Sequence, residues 1–372
     1  MVLVPMRAIL EAAENGGYGV GAYNVNNMEQ VQGIMAAAAE TQSPVILQVS
    51  RGALKYANNF YLVALINTAA QLHPEIPIAM HLDHGNSPKT CIDAISLGFT
   101  SVMMDGSLRE DGKTHTDYEY NARVTKEVID YAHKRGVTVE GEIGCLGGIE
   151  DGHGSGMEVV TDPADAKRLI QDTGIDALAV AWGTSHGAYK FRGEPVLMHD
   201  VVKQIHLENP GVYLVSHGSS SVPESLTSAL NSYGVIKKDR IYNKENHEWH
   251  QMLSAYGQEF DLTNANAVEV LSFLVAGIRM PSTKGVPLSD LRIAIGNGMR
   301  KINVDTDGRI AVTGAILDVF HSHPSEFDPR KYLGPARDAI TAFVKERMET
   351  FGTAGHAGDV EIVSLEDMAR RY

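Results

Sequence analysis

Residues 76–107 read IPIAMHLDHGNSPKTCIDAISLGFTSVMMDGS, and this stretch decides the fold. Two short apolar runs, 76–84 and 99–107, flank a segment of helical character from Ser87 to Leu97. Ser87-Pro88 has the form of an N-cap followed by proline at the first helical position, and Gly98 marks the C-terminal stop. A strand, a helix and a second strand of this size make a crossover unit with parallel strands.

The unit recurs in both directions. YGVGAYNV (18–25) leads into a helical run with Val31, Ile34, Met35 and Ala38 on one face. SPVILQVS (43–50) leads into a helix near 59–72. After residue 107 comes a long helix ending at Arg135-Gly136, then VTVEGEIG (137–144), then a helix opened by Asp162-Pro163. IDALAVAWG (175–183), VYLVSHG (212–218) and KINVDTD (301–307) complete the series. Eight strands alternating with helices predict an α/β chain folded as a closed (β/α)8 TIM barrel, a single domain over 1–372. An open doubly wound sheet would carry a GxGxxG turn after its first strand, and none is present. One segment breaks the rhythm: residues 222–290 occupy a place where one helix would suffice, and are read as a helical insertion. From Pro324 onward a helical C-terminal tail is expected.

Composition narrows the function. The 372 residues carry 32 basic and 46 acidic side chains, a net charge of −14, which argues against nucleic acid or an anionic membrane as partner. A phosphorylated ligand would need positive charge supplied locally. No run approaches the roughly 18 apolar residues of a membrane span. The start, MVLVPMRAILEAAENGGYGV, has the pattern of neither a signal nor a transit peptide. Two cysteines, Cys91 and Cys145, make no disulfide framework, so a cytoplasmic location is expected.

In such barrels chemistry sits at the C-terminal ends of the strands. Those ends hold Asn24, Ser50, Asp83-His84, Asp105, Glu142, His186, His217, and Asn303 with Asp305. Buried polar groups are costly without partners, and so many at one level point to a site. Three are histidines: His84, His186 and His217 are candidate ligands of a catalytic zinc with one position open. Period-two alternation puts His81 and Asp83 on one face of their strand and His84 on the other, so a metal-binding His84 requires a turn there, which Gly85 permits. Glu140 and Glu142 share a face near Asp105; the group suits a second metal position, or else one Glu pairs with a core lysine. GCLGGIEDGHGSG (144–156), with Glu150 at its middle, reads as a mobile lid or as an ordinary surface loop. HGSSS (217–221) offers backbone N–H groups to an anion after the seventh strand, where barrel phosphate sites are built.

The segments HLDHG, SVMMDGS, EGEIGCLGG, GTSHGAYK, SHGSSS and KINVDTD, in this order, resemble class II, metal-dependent fructose-bisphosphate aldolases. VSHGSSSVP is similar to the variant associated with the Calvin cycle, which also acts on sedoheptulose bisphosphate. The resemblance implies reversible cleavage of fructose 1,6-bisphosphate to dihydroxyacetone phosphate and glyceraldehyde 3-phosphate, through zinc stabilisation of an enediolate, in a homodimer or homotetramer. It assigns the catalytic zinc to His84, His186 and His217 and the second metal position to Asp105 and Glu142. Asp83 becomes the proton donor to the aldehyde oxygen and Glu150 the acid–base residue of the loop. Gly187, Gly218, Ser219, Ser220, Asn303, Val304, Asp305 and Thr306 bind dihydroxyacetone phosphate. Ser50 contacts the glyceraldehyde 3-phosphate end, Asn24 faces the substrate, and Arg330 reaches a phosphate from a neighbouring subunit. A monovalent cation is a further expectation. The sequence departs from the family in reading HGSSS for HGGSG, in having Ile149-Glu150 for a Glu pair, and in its long insertion. Other readings are a sedoheptulose- or tagatose-bisphosphate aldolase with the same machinery, an amidohydrolase-type hydrolase, and a barrel serving as a scaffold. The hydrolase would favour an H-x-H pair ending strand one, where this chain has AYNVNN.

Overall fold

The computed structural model describes residues 3–144, 159–185, 195–225, 227, 230, 237–243, 248–255, 258–261 and 285–372. Eight parallel strands close into a barrel: β1 (Val20–Asn24), β2 (Val45–Ser50), β3 (Ile78–Gly85), β4 (Ser101–Met104), β5 (Thr138–Ile143), β6 (Ala177–Val180), β7 (Tyr213–Ser216) and β11 (Met299–Val304). Each predicted strand is present. The ring closes where β1 pairs with β2 on one side and β11 on the other.

The crossover helices form for local reasons. Ser87 Oγ accepts from Thr90 N at 3.3 Å and Pro88 opens Pro88–Ser96, as the sequence predicts. Asp162 caps Pro163–Thr173 in the same way. Along the strands, alternate residues face inward. Val20, Ala22, Ile46, Ala79, Met103, Ala177, Ala179 and Val215 pack low in the barrel. The inward positions above them are polar, among them Gln48, His81, Asp83, Glu140, Glu142 and Lys301. The outward residues Leu47, Val49, Met80, Leu82, Val102 and Val139 pack in the main core with the surrounding helices.

One element has no counterpart in the sequence reading. Helix Met6–Gly16 buries Met6, Ile9, Leu10 and Ala13, a helical spacing, in the same cluster as the low interior residues. Arg7 ties it down, its amide donating to Thr138 Oγ1 at 2.9 Å and its guanidinium meeting Asp176 at 3.1 Å. The helix caps the barrel at the end opposite the polar strand termini.

The insertion corrects an expectation. Within the predicted helical insertion, 222–290, Glu224, Ser225, Thr227 and Leu230 are helical, but the residues described at its centre form a three-stranded antiparallel sheet of β8 (Lys237–Asn243), β9 (Glu248–Ala255) and β10 (Gln258–Asp261). The connections 244–247 and 256–257 are too short for a crossover helix, so consecutive strands pair antiparallel, with Tyr242 in register with Trp249. Tyr242, Trp249 and Phe260 also favour strand over helix. After the helix Thr306–Ser322 that follows β11, the tail beyond Pro324 is helical, with Pro329–Phe351 and Leu365–Ala369. Among the described residues no helix is long and apolar enough to cross a membrane.

Candidate active site

The site is built around an irregularity at the end of β3. The pairing of β3 with β4 shifts between Leu82 and Gly85, and His84 has φ +51°, in the left-handed region. A side chain there costs about 1–3 kcal/mol and persists only where its surroundings impose it. Arg51 Nε donates to the His84 carbonyl at 3.2 Å, and Gly85 accepts from Asp105 N at 2.9 Å. The turn that a metal-binding His84 requires is therefore made by His84 itself. Gly85 has another role: a Cβ there would stand 2.5 Å from Met103 O and 2.6 Å from Cys91 Sγ. Because of the shift, Asp83 and His84 both reach the barrel mouth despite being neighbours in sequence.

His84 stands between two residues. Its Nδ1 lies 3.1 Å from Asp105 Oδ2 and its Nε2 lies 3.1 Å from His217 Nδ1. Burial opposes the imidazolium charge. The hydrogen bond to Asp105 and the carboxylates of Asp83, Asp105 and Glu142 outweigh it and push His84 up to about 10. Asp105 is held from behind by Ser107, whose amide and hydroxyl donate to Oδ1 at 3.2 and 2.7 Å. Burial, then the charge of Asp105, holds the Glu142 carboxyl well above the usual carboxylate range. Its Oε2 is buried with no partner among the described residues, as is Asp83 Oδ1. The other Asp83 oxygen accepts from Asn24 Nδ2 at 2.9 Å, and Gln48 Nε2 lies 3.4 Å from it. Two sets of donor atoms, Asp83 with His84 and His217, and His84 with Asp105 and Glu142, each lie within 4.8 Å of one another. Carboxylates crowded in this way, with oxygens lacking donors, fit a divalent cation.

Below this layer the charges balance. Glu140 and Lys301 are fully buried and paired at 2.9 Å. The second Glu140 oxygen lies 2.7 Å from His217 Nε2. A carboxylate only accepts, so Nε2 carries the proton and Nδ1 presents its lone pair to the mouth. His81 lies on the same level, with Nε2 3.3 Å from Lys301 Nζ and Nδ1 2.8 Å from Ser101 Oγ. Burial, then the lysine charge, pushes His81 well below the usual histidine value.

The loop after β7 completes the mouth. Gly218 has φ +63°, and a Cβ on it would fall 2.5 Å from Ser185 O. Gly218, Ser219, Ser220, Asn303 and Asp305 line one small pocket with Asn24, Gln48, Asp83, His84 and His217. Asn303 Nδ2 lies 3.2 Å from the His217 ring nitrogens. Asp305 is paired with Arg309 at 2.6 Å. Val304 and Thr306 are buried at the junction of β11 and the helix after it. Ser50 caps the helix Arg51–Ala57, accepting from Ala53 N at 3.1 Å.

A family model for class-II fructose-bisphosphate aldolases matches residues 4–271 and 258–356. The chain belongs to the class II fructose-bisphosphate aldolase family. It is 46% identical over 374 residues to a fructose-bisphosphate aldolase of Giardia intestinalis, with all of both chains covered. It is 44% identical over 387 residues to one from Nostoc sp., covering 100% of this chain and 96% of the relative. Among solved structures, the YdjI aldolase of Escherichia coli K12 superposes with a TM-score of 0.67 at 26% identity, covering 95% of this chain and 99% of that one.

Class II aldolases are metal-dependent lyases, and the candidate metal-binding clusters agree with that membership. Of the predicted zinc ligands, His84 and His217 come together, while His186 lies outside the described residues, as do Gly187 and Glu150. Arg330 is 87% exposed and held by Asp328 at the start of its own helix, with no contact to the mouth among the described residues. Sequence reasoning missed Lys301 and Gln48. Lys301 precedes Asn303 by two in KINVDTD, so period two already aims it into the barrel. The inward pair Glu140 and Glu142 divides: Glu142 falls in a candidate metal-binding group with His84 and Asp105, whereas Glu140 meets the core lysine left open as the alternative.

Proposed function

We propose that this chain reversibly cleaves fructose 1,6-bisphosphate to dihydroxyacetone phosphate and glyceraldehyde 3-phosphate, with zinc as its metal. The observation that carries the reading is the 3.1 Å approach of His84 Nε2 and His217 Nδ1 at a mouth shared with Asp83, Asp105 and Glu142. His84 and His217, with His186, would hold the catalytic ion, and Asp105 with Glu142 a second position. An imidazole-rich set suits zinc. The bound ion supplies a Lewis acid that draws charge from the ketone beside the carbon to be deprotonated.

The chain's own residues do the rest. Glu140 holds the His217 ring by its Nε2–H, so that Nδ1 faces the mouth. Asp83, fixed through Oδ2 by Asn24, keeps Oδ1 for a proton delivered to the aldehyde oxygen as the C–C bond forms, and withdraws it in cleavage. Glu150 exchanges the proton on the carbon. Gly187, the amides of Gly218 to Ser220 and the segment Asn303 to Thr306 would hold one phosphate and so anchor the substrate. Ser50 lies beside Asp83 across the β2–β3 register, where the glyceraldehyde 3-phosphate end would sit. A homodimer or homotetramer would bring Arg330 of one copy to a phosphate in another. The chain would work in the cytoplasm, in glycolysis, gluconeogenesis or the Calvin cycle, and a monovalent cation would assist.

Metal content and cleavage rates on fructose, sedoheptulose and tagatose bisphosphates, with and without chelator, test the reading. Fructose 1,6-bisphosphate should be cleaved fastest, and only by metal-loaded protein. Undiminished cleavage after the metal is stripped would refute the metal's role.

A further inference from the structure

The loop Gly218–Val222 does not hold its own shape. Val222, β-branched, has φ +45°, so something outside the loop must impose the conformation. Asp307 does so with both oxygens: Oδ2 accepts from Ser221 N at 2.8 Å and from Ser221 Oγ at 3.1 Å, and Oδ1 accepts from Val222 N at 2.7 Å. Behind it, Arg347 Nη2 donates to Ser221 Oγ at 2.6 Å and lies 3.3 Å from Asp307 Oδ2. Both side chains are essentially inaccessible, at 1% for Arg347 and 0% for Asp307. On the loop's other side, Val286 N donates to Ser220 O at 3.2 Å, and a Cβ on Gly285 would stand 2.4 Å from that oxygen.

The topology gives these contacts their meaning. Asp307 lies in the first turn of Thr306–Ser322, directly after the segment Asn303 to Thr306. It therefore links the loop after β7 to the helix start after β11, the two halves of the expected phosphate cradle. Two of the three hydroxyls of HGSSS (217–221) are committed to the scaffold. Ser219 Oγ donates to Ser216 Oγ at 2.6 Å, and Ser221 Oγ serves the Asp307–Arg347 pair. A buried ion pair contributes little net stability compared with apolar packing, so its presence behind the loop argues for placement.

We propose that Asp307 and Arg347 are positioning residues for the phosphate end of the substrate. They touch no substrate. They fix the spacing between the Gly218–Ser220 amides and the Asn303–Thr306 segment, and so set affinity for phosphate while leaving the chemical step alone. The inference rests on the aldolase reading above.

The test uses metal-loaded Arg347→Met and Asp307→Asn proteins. KM for fructose 1,6-bisphosphate and the inhibition constant of inorganic phosphate should each rise about tenfold or more, with kcat and bound metal within about twofold of wild type. Arg300→Met is the control, breaking the Arg300–Glu14 pair (2.6 Å) at the other end of the barrel. It should lower the melting temperature without moving KM. KM and phosphate inhibition unchanged in Arg347→Met, or shifted no more than in Arg300→Met at equal loss of stability, would overturn the proposal. Should Arg347→Met not fold, Ser221→Ala removes only the hydroxyl link, and a KM rise of severalfold is expected; an unchanged KM would again overturn it. A wild-type chain that neither cleaves the bisphosphate nor binds phosphate sinks the parent reading, whereas an active wild type with unaltered variants sinks this inference alone.

Discussion

Two polar layers lie one above the other inside the barrel, and they treat charge in opposite ways. In the lower, Glu140 faces Lys301 at 2.9 Å and His81 is driven toward its neutral form. In the upper, Asp83, Asp105 and Glu142 surround His84, and two of their oxygens have no donor among the described residues. The lower layer is complete as folded. The upper keeps carboxylate oxygens for a partner that the described residues do not supply, which suits the cation proposed above, and its crowded carboxylates raise both His84 and Glu142. A buried charge thus reads as structural when its partner is built in, and as functional when the partner must be supplied.

The sharpest way to break this contrast is to strip the metal. Cleavage of fructose 1,6-bisphosphate should fall by about three orders of magnitude or more, since several kcal/mol of Lewis-acid assistance are lost. Asp83→Ala should lower kcat about a hundredfold with the metal retained; elemental analysis showing metal loss instead would make Asp83 a ligand, a role its grouping with His84 and His217 also permits. The two inward glutamates then separate the layers. Glu140→Gln strands Lys301 in the core and should destabilise the metal-free protein by about 3 kcal/mol. Glu142→Gln removes a repelling charge and should leave stability equal or slightly raised, as read by denaturant unfolding of both variants.

The smallest effect is on pH dependence. His84 is raised from 6.5 to about 10 in the folded metal-free chain. Its contribution to stability is therefore full below pH 6.5 and is lost as pH rises through about 10. Metal must displace that proton, so zinc affinity should increase with pH from neutrality toward about 10. Calorimetry in buffers of different ionisation enthalpy should find about one proton or more released per metal bound, and no release would place His84 outside the first coordination sphere.

The barrel was legible because its signals are local. Ser87-Pro88 and Asp162-Pro163 open helices through hydrogen bonds within a few residues, and strand ends follow from period-two runs. The helix at Met6–Gly16 carried the same kind of signal, Met6, Ile9, Leu10 and Ala13, yet its place beneath the barrel was not readable from that spacing. The insertion misled because its length suggested helix while Tyr242, Trp249 and Phe260 favoured strand. At the site, inward residues were legible but their heights were not. Alternation aims Glu140, Glu142 and Lys301 alike into the barrel, and register alone sets which of them meet.

Alone, then, the amino-acid order determined an eight-stranded parallel barrel and gathered its ionisable strand ends, His84, Asp105, Glu142 and His217 among them, at one mouth. Periodicity and capping act over a few residues, so neighbours in sequence suffice to specify them. Only the tertiary structure decided that the chain turns at His84, that Lys301 neutralises Glu140, and that Arg347 steadies a loop 126 positions before it. Those pairings depend on how far each strand is staggered against the next and on where a distant helix docks, which no local pattern records.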